Sequence, residues 1–328
     1  MYWRETGDAT PFHGIAQDSI VMNVDDLLCV GVTGGMVISS TINRNARNIP
    51  GVILAALITG TERVLAGLRK AGVEIRSGGG ETADVGDLTK TFVADTTIFA
   101  RWPRKKIIAG TGIKPGLVIV GLGSAGQASY ETAENSGIGS NGLTSARHDL
   151  LSKYYARKYP ETYDAATPAK LAYCGKFKMN DRLPGSRLTI GQALLSPTRS
   201  YAPILKPLLD HHFDRIAGLI HCSGGGQTKC LRFGQKAHFV KDALMPVPPM
   251  FACIQETTKT PWREMFQVFN MGHRMEVYCQ EAFAATVIAT AKKFNVAAQV
   301  IGHTEKSKHG GKNHLTIGYG GQAHEYGI

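Results

Sequence analysis

The sequence predicts an α/β fold in two domains, and three patterns carry that expectation. Apolar residues recur at helical spacing through Ile53, Leu57, Val64, Leu65 and Leu68, the mark of an amphipathic helix packed on a sheet. Val37–Ile42 alternates, and Thr91–Ala100 is rich in β-branched and aromatic residues, as strands are. Residues 107–116 are punctuated by Gly and end in Lys114-Pro115-Gly116, after which strands and helices alternate again. Dividing the chain there gives residues 1–113 and a larger unit, 114–328.

Taken in order, Met1–Gly7 reads as the end of a helix closed by Gly7, and Ile15–Val30 as a largely apolar helix. Strand Val37–Ile42 comes next. Pro50 opens a long helix to about Ala71, which Gly72 closes. Val73–Arg76 is a short strand running into a glycine turn at Gly78-Gly79-Gly80, followed by strand Thr91–Ala100. In the second unit, strands are expected at Leu117–Leu122, Gly218–Cys222, Met275–Tyr278 and Ala298–Gly302. Helices are expected at Ser145–Lys158, Tyr201–Leu209 and Gln280–Phe294, and a Gly/His/Lys-rich tail after Lys306.

Bulk properties narrow the function classes. With 43% hydrophobic and 19% charged residues in a chain of 328, a substantial core is expected rather than disorder. The apolar runs around Gly51–Ile58 and Leu117–Leu122 are too short to span a bilayer, and Met1–Asp8 has no apolar signal core. Six cysteines without a CxxC pair point to reduced thiols in a cytoplasmic protein. A net charge of +11 favours anionic partners such as nucleotides and sugar phosphates. The basic residues are dispersed, and clusters such as Arg101–Lys106 carry no nucleic-acid motif.

Two acidic elements are the first chemical signal. Gly79-Gly80-Glu81-Thr82-Ala83-Asp84 places two carboxylates beside flexible backbone, and Val24-Asp25-Asp26-Leu27-Leu28 places two more in an apolar run. Carboxylates suit a hard cation such as Mg²⁺ beside phosphates, although each element taken alone also reads as a turn or a cap. Gly121, Gly123 and Gly126 satisfy the dinucleotide pattern G-x-G-x-x-G after an apolar strand. That motif requires an acid about 20 residues on to hold the ribose, yet Asn141–Arg147 contains none. A dehydrogenase is therefore not the expectation.

Four further elements follow in order. Ser140-Asn141-Gly142 precedes a helix start where backbone N–H groups could meet an anion. Pro197-Thr198-Arg199-Ser200-Tyr201 offers a hydroxyl and a guanidinium fork for phosphate. His221–Gly226 is a strand leading to the triple-glycine turn Gly224-Gly225-Gly226, and Phe269-Asn270-Met271-Gly272 is a polar turn before a strand. Their joint order, with the two acidic elements, resembles the aminoimidazole ribonucleotide synthetase family, the phosphoribosylformylglycinamidine cyclo-ligases, from about Gly14 to Gly302.

The resemblance implies an N-terminal half-barrel sheet with helices that pairs in a homodimer, and a C-terminal α/β sandwich. It also implies ATP-dependent closure of an imidazole ring. ATP activates the formyl amide oxygen of formylglycinamidine ribonucleotide, and the amidine-side nitrogen attacks. On this reading Asp26, Glu81 and Asp84 hold Mg²⁺–ATP, with Asp25 a weaker fourth ligand, and Asp26 and Glu81 are catalytic. Gly79, Gly80 and Gly224 to Gly226 lie against the nucleotide. Ser140, Asn141, Gly142, Asn270 and Gly272 face the sugar-phosphate substrate, and Thr198 and Arg199 grip its phosphate.

The family's Asp-Gly-x-Gly-Thr-Lys strand has no counterpart, so the resemblance implies an internal start or a truncation at Met1. Asp25 stands for a family Asn, and Gly139 for a His often found before Ser-Asn-Gly. Two alternatives remain open. One is a related kinase or synthetase of the same architecture; the other is a non-catalytic remnant that still folds and dimerises.

Overall fold

The computed structural model describes residues 1–327. Helices α1 (Tyr2–Thr6) and α2 (Pro11–Cys29) lead into strand β1 (Met36–Arg44), helix α3 (Gly51–Lys70) and strands β2 (Ile75–Asp84) and β3 (Phe92–Ala100). These strands form a three-stranded sheet in the order β2-β1-β3, with β1 parallel to β2 and antiparallel to β3.

Sequence alternation decides which face of this sheet is covered. Met36, Ile38 and Ile42 of β1 are buried beneath α2 and α3, with Thr96 of β3 beside them. Thr96 donates from Oγ1 to the Ser19 carbonyl of α2 at 2.6 Å, and Asn23 Nδ2 returns a bond to the Thr96 carbonyl at 2.9 Å. On the opposite face Val93, Asp95, Thr97 and Phe99 are all exposed. No element of this chain covers them among the described residues.

The triple glycine Gly78–Gly80 is not a turn. It lies inside β2, where the register slips between Ile38↔Ser77 and Ser40↔Gly80 and one strand carries an extra residue. Gly79 takes up that bulge at φ +93°, and a Cβ on Gly80 would fall 2.2 Å from the Ser40 carbonyl oxygen. The glycines therefore serve strand pairing.

The larger sheet comprises β4 (Val118–Gly123), β5 (Ile216–His221), β6 (Ala237–Lys241), β7 (His273–Cys279), β8 (Ala298–Lys306), β9 (His314–Tyr319) and β10 (Gln322–Tyr326). Their order is β10-β9-β6-β8-β4-β7-β5. Every neighbour pair is antiparallel except β6 and β9. Since β4 runs antiparallel to both its neighbours, its glycine pattern does not open a βαβ unit, and the dinucleotide motif has no structural basis. The Gly/His/Lys-rich tail is ordered into β9 and β10. The expected helix over 145–158 is two, α4 (Leu143–Leu150) and α5 (Lys153–Lys158), broken where Leu151 and Ser152 bridge to Phe177 and Gly175.

Helices α6 (Ile190–Leu194), α7 (Ala202–His212), α8 (Pro249–Thr258), α9 (Trp262–Val268) and α10 (Glu281–Lys293) complete the chain. One apolar cluster joins the two sheets. Ile20, Val24 and Leu28 of α2 pack in it with Leu65 of α3, Val120 of β4, Leu205 of α7 and Val277 of β7. Helix α3 is long and apolar enough to cross a membrane, at mean hydropathy 1.5, a length the short run at Gly51–Ile58 does not suggest. Its Ile53, Leu57, Leu65 and Leu68 are buried against the protein's own core.

Candidate functional site

Helix α2 carries acids at positions 18, 25 and 26. Residues seven apart share a helix face, so Asp18 and Asp25 both turn inward while Asp26 lies on the rim. The inward pair meets the segment Pro197–Tyr201. Thr198 donates its backbone N–H to Asp18 Oδ1 at 2.7 Å. Ser200 Oγ and the Tyr201 N–H donate to Asp25, at 3.0 and 3.2 Å. Asp26 Oδ1 is 2.9 Å from Nδ1 of His221, at the end of β5. Two helical turns of α2 thus seat the N-terminal unit against the C-terminal sheet.

Enclosure raises both inner carboxyls. Burial pushes Asp18 up to about 6 against the pull of its Thr198 hydrogen bonds. Burial likewise raises Asp25, opposed by His221 and Arg274. Among the described residues, Thr198 Oγ1, His221 Nε2 and Arg274 Nε are buried without a partner at the edge of this junction. Native proteins seldom leave such atoms unpaired without a ligand or water to meet them.

Two loops close the far side. Asn270 is buried and its amide is fully employed. Its Nδ2 donates to the Gly137 carbonyl at 2.8 Å, and its Oδ1 accepts from Ser124 Oγ at 2.8 Å and the Gly272 N–H at 3.0 Å. Gly272, at φ +114°, packs where a Cβ would strike Pro248. These two residues therefore shape the loop that carries Ser140, Asn141 and Gly142, and do not themselves face a ligand. Asn141 approaches the second loop, with its Nδ2 3.9 Å from where a Cβ on exposed Gly224 would sit. Gly226 is packed inward, since a Cβ there would lie 2.5 Å from the Phe269 carbonyl oxygen.

Beneath the Gly224–Gly226 turn lies a buried charged strut. Lys241 Nζ donates to the Gln227 carbonyl at 2.8 Å and reaches Glu276 Oε1 at 2.5 Å, while Tyr278 OH donates to Glu276 Oε2 at 2.7 Å. Burial alone would raise Glu276, but Lys241 and His273 hold it down at about 2. Gln227 Nε2 in turn donates to the carbonyls of Asn270 and His273, tying the two loops together.

Arg199 does not reach a ligand. Its Nε and Nη2 donate to Glu131 at 2.8 and 2.6 Å. Its Nη1 donates to the carbonyls of Gly123 and Ala125, and Nη2 also to that of Gly126. All five N–H donors are spent on the loop after β4. The phosphate grip expected of Arg199 is thus a structural staple, because Glu131, eight residues past Gly123, completes its fork.

The expected metal set is not assembled within one chain. Glu81 and Asp84 lie in the regular part of β2, paired with Thr41 and Arg44. Three residues apart on a strand, they point to opposite faces. Asp84 lies at the end of the sheet where Arg44 pairs with Phe92 and Phe92 packs on Phe12, the start of α2. Asp26 is about 21 Å farther along that helix. Among the described residues, no three His, Cys, Asp or Glu side chains gather closely enough to hold a metal ion.

The residues that sequence reasoning underrated are Asp18, His221 and Arg274. The seven-residue spacing from Asp18 to Asp25 was the available signal for the first. No local pattern marks the other two, which arrive through β5 and β7.

The architecture is that of a two-sheet α/β protein whose sheets are joined through one apolar cluster. Residues 114–313 match the family model of the AIR synthase related protein, C-terminal domain. The chain is 33% identical to phosphoribosylformylglycinamidine cyclo-ligase of Methanocaldococcus jannaschii over 308 residues, 91% of this chain and 74% of that protein. Among solved structures, T. maritima PurL complexed with FGAR matches 97% of this chain and 43% of its own at TM-score 0.55 and 16% identity. The hydrogenase maturation protein HypE in complex with ATP matches 96% of this chain and 79% of its own at TM-score 0.56 and 13% identity. These two share the fold. The chain belongs to the phosphoribosylformylglycinamidine cyclo-ligase family.

Proposed function

We infer that the protein closes the imidazole ring of formylglycinamidine ribonucleotide at the expense of ATP, giving aminoimidazole ribonucleotide for purine synthesis. Family membership across nine-tenths of the chain supports the reaction. The observation that supports this location is the junction where α2, the Pro197–Tyr201 segment, the end of β5 and the loop at Ser140–Gly142 come together around buried polar atoms without partners.

ATP supplies a phosphoryl group that turns the formyl amide oxygen into a leaving group. The protein's own task is positioning and exclusion of water. Thr198 and the Ser140–Gly142 backbone offer donors to the sugar-phosphate substrate, and exposed Gly224 with half-buried Gly225 leaves open backbone for a phosphate. The inward acids of α2, half-buried Asp18 above all, stand where a proton leaving the attacking nitrogen can be held.

Magnesium enters through the nucleotide. Mg²⁺ is ordinarily held by one or two carboxylates together with substrate phosphates, not by an all-protein cage. Asp26, exposed on the rim and oriented by His221, suits that single role. Glu81 and Asp84 do not fit the same ion from one chain.

A homodimer follows from the bare face of the smaller sheet. Val93 is 52% and Phe99 62% exposed there, and Val37 and Ala83 share that face. A second copy laid on this face buries them and places Glu81 in the interface. The division into 1–113 and 114–328 and a cytoplasmic location accompany this reading, the latter supported by six free cysteines. The test is formation of aminoimidazole ribonucleotide with matched release of phosphate. A chain that binds both substrates without turnover would instead be a non-catalytic relative.

A further inference from the structure

A buried guanidinium normally spends all its N–H groups, because an unpaired one forfeits its hydration without return. Arg274, at the second residue of β7, is 3% exposed and breaks that rule. Its Nη2 donates to the Arg199 carbonyl. Asp25, the acid that faces it, stands off at 4.0 Å, and the guanidinium carbon lies 5.6 Å from the Tyr201 ring centroid. Nε is enclosed with no partner among the described residues.

The other terminal nitrogen shows where the side chain is aimed. A Cβ built on Gly139, at φ +63°, falls 2.7 Å from Arg274 Nη1 and 3.6 Å from Thr198 Oγ1. That hydroxyl is also buried and has no hydrogen-bond partner within 3.5 Å, the Asp18 carboxyl being its nearest polar neighbour. Two donors therefore converge on the notch at Gly139, which the guanidinium fills because residue 139 has no side chain. Ser140-Asn141-Gly142 follows it directly in the chain.

We propose that Arg274 is a substrate-binding residue that, with Thr198 Oγ1, takes a phosphate oxygen beside the notch at Gly139. A guanidinium beside a hydroxyl is matched to a tetrahedral oxyanion. Both substrates of the proposed reaction carry phosphate, so this assignment rests on that reading and names the residue that anchors one of them. Gly139 and Arg274 form one unit: a side chain at 139 takes the space of the guanidinium.

The experiment compares wild type with Arg274→Met, Arg274→Lys and Gly139→Ala in steady-state kinetics, with the concentration of each substrate varied in turn. The expected result is a rise of at least tenfold in KM for one phosphate-bearing substrate in Arg274→Met and Gly139→Ala. KM for the other substrate holds, and added guanidinium partly rescues Arg274→Met. A rise for the ribonucleotide assigns the notch to the ribose phosphate; a rise for ATP assigns it to the nucleotide. Unchanged KM for both in folded variants overturns the proposal. Should Arg274→Met not fold, Gly139→Ala and Arg274→Lys decide by the same criterion.

Should wild type show no turnover, the ring-closing reading fails separately. Calorimetric binding of ribose 5-phosphate and of ADP then decides the notch. Loss of either ligand in Arg274→Met relative to wild type keeps the proposal. Equal binding, or none in both, overturns it.

Discussion

Two buried arginines meet within one hydrogen bond of each other, yet they do opposite work. Arg199 spends every N–H donor on Glu131 and three carbonyls of the loop after β4. Arg274 donates to the Arg199 carbonyl and leaves Nε unpaired beside the notch at Gly139. The contrast separates a group that builds the site from one that is available to it. Chemical type alone would have assigned both to phosphate.

The largest expected effect breaks the satisfied side of this contrast. Arg199→Met strands Glu131 and three carbonyls in the interior, and breaking a buried pair typically costs about 3–5 kcal/mol. Urea denaturation should show that loss, while the folded fraction keeps its KM values. Normal stability with a raised KM would return Arg199 to the ligand. Glu131→Gln should be milder, because the amide still accepts one bond.

The second prediction tests the strut that ties the loops. Glu276 lies near 2 in the fold and near 4.5 when free, so the folded state holds its proton less tightly. Its stabilisation is therefore present above pH 4.5 and is lost as pH falls towards 2. Lys241→Met leaves Glu276 buried with Tyr278 and His273 but without its lysine counter-charge. Its melting temperature at pH 7 should drop well below that of wild type, whereas a double variant Lys241→Met/Glu276→Gln should recover part of the loss. Equal melting of the single and double variants would contradict a coupled pair.

Asp18 runs the other way. Its folded value, about 6, lies above the ordinary 3.8 of a free aspartate, so the ionised form weakens the fold. That penalty is absent below about pH 3.8, grows as pH rises through 6, and reaches on the order of 3 kcal/mol at neutral pH. Asp18→Asn keeps an acceptor for the Thr198 N–H, so at pH 7.5 it should unfold at higher denaturant than wild type, with the gap closing towards pH 4.5. A gap independent of pH would show that Asp18 is not the titrating group. If Asp18 holds the departing proton, the same variant should lose activity while gaining stability.

The smallest stability effects belong to the exposed sheet. Glu81→Gln and Asp84→Asn should each change stability by less than about 0.5 kcal/mol. Phe99→Glu leaves the monomer fold intact but should halve the mass seen in sedimentation, because it places charge in the proposed dimer face. A monomeric wild type would remove that interface.

Much of this fold was legible in the sequence, since α2, β1, α3, β3, β4, α7 and α10 lie where period and punctuation put them. What misled was local and physical. Gly78-Gly79-Gly80 has the composition of a turn, but a bulge in a parallel pair also needs glycine, and only the Ser40 carbonyl opposite tells them apart. The strands β6, β9 and β10 were hidden because His, Lys and Gly blur their alternation. At the site, the order of motifs was readable, but which polar groups are free was not. That depends on Glu131 pairing with Arg199 at 2.6 Å while Asp25 stands 4.0 Å from Arg274, a difference set by segments far apart in the chain.

The direct test of the account is aminoimidazole ribonucleotide formation by the wild-type chain and by Asp26→Asn, with formylglycinamidine ribonucleotide and Mg²⁺–ATP saturating. The account predicts ATP-dependent product from wild type and a loss of about 10²-fold or more in Asp26→Asn, as expected when charge stabilisation at a phosphoryl group is removed. No product from wild type, or equal rates from the two proteins, would contradict it.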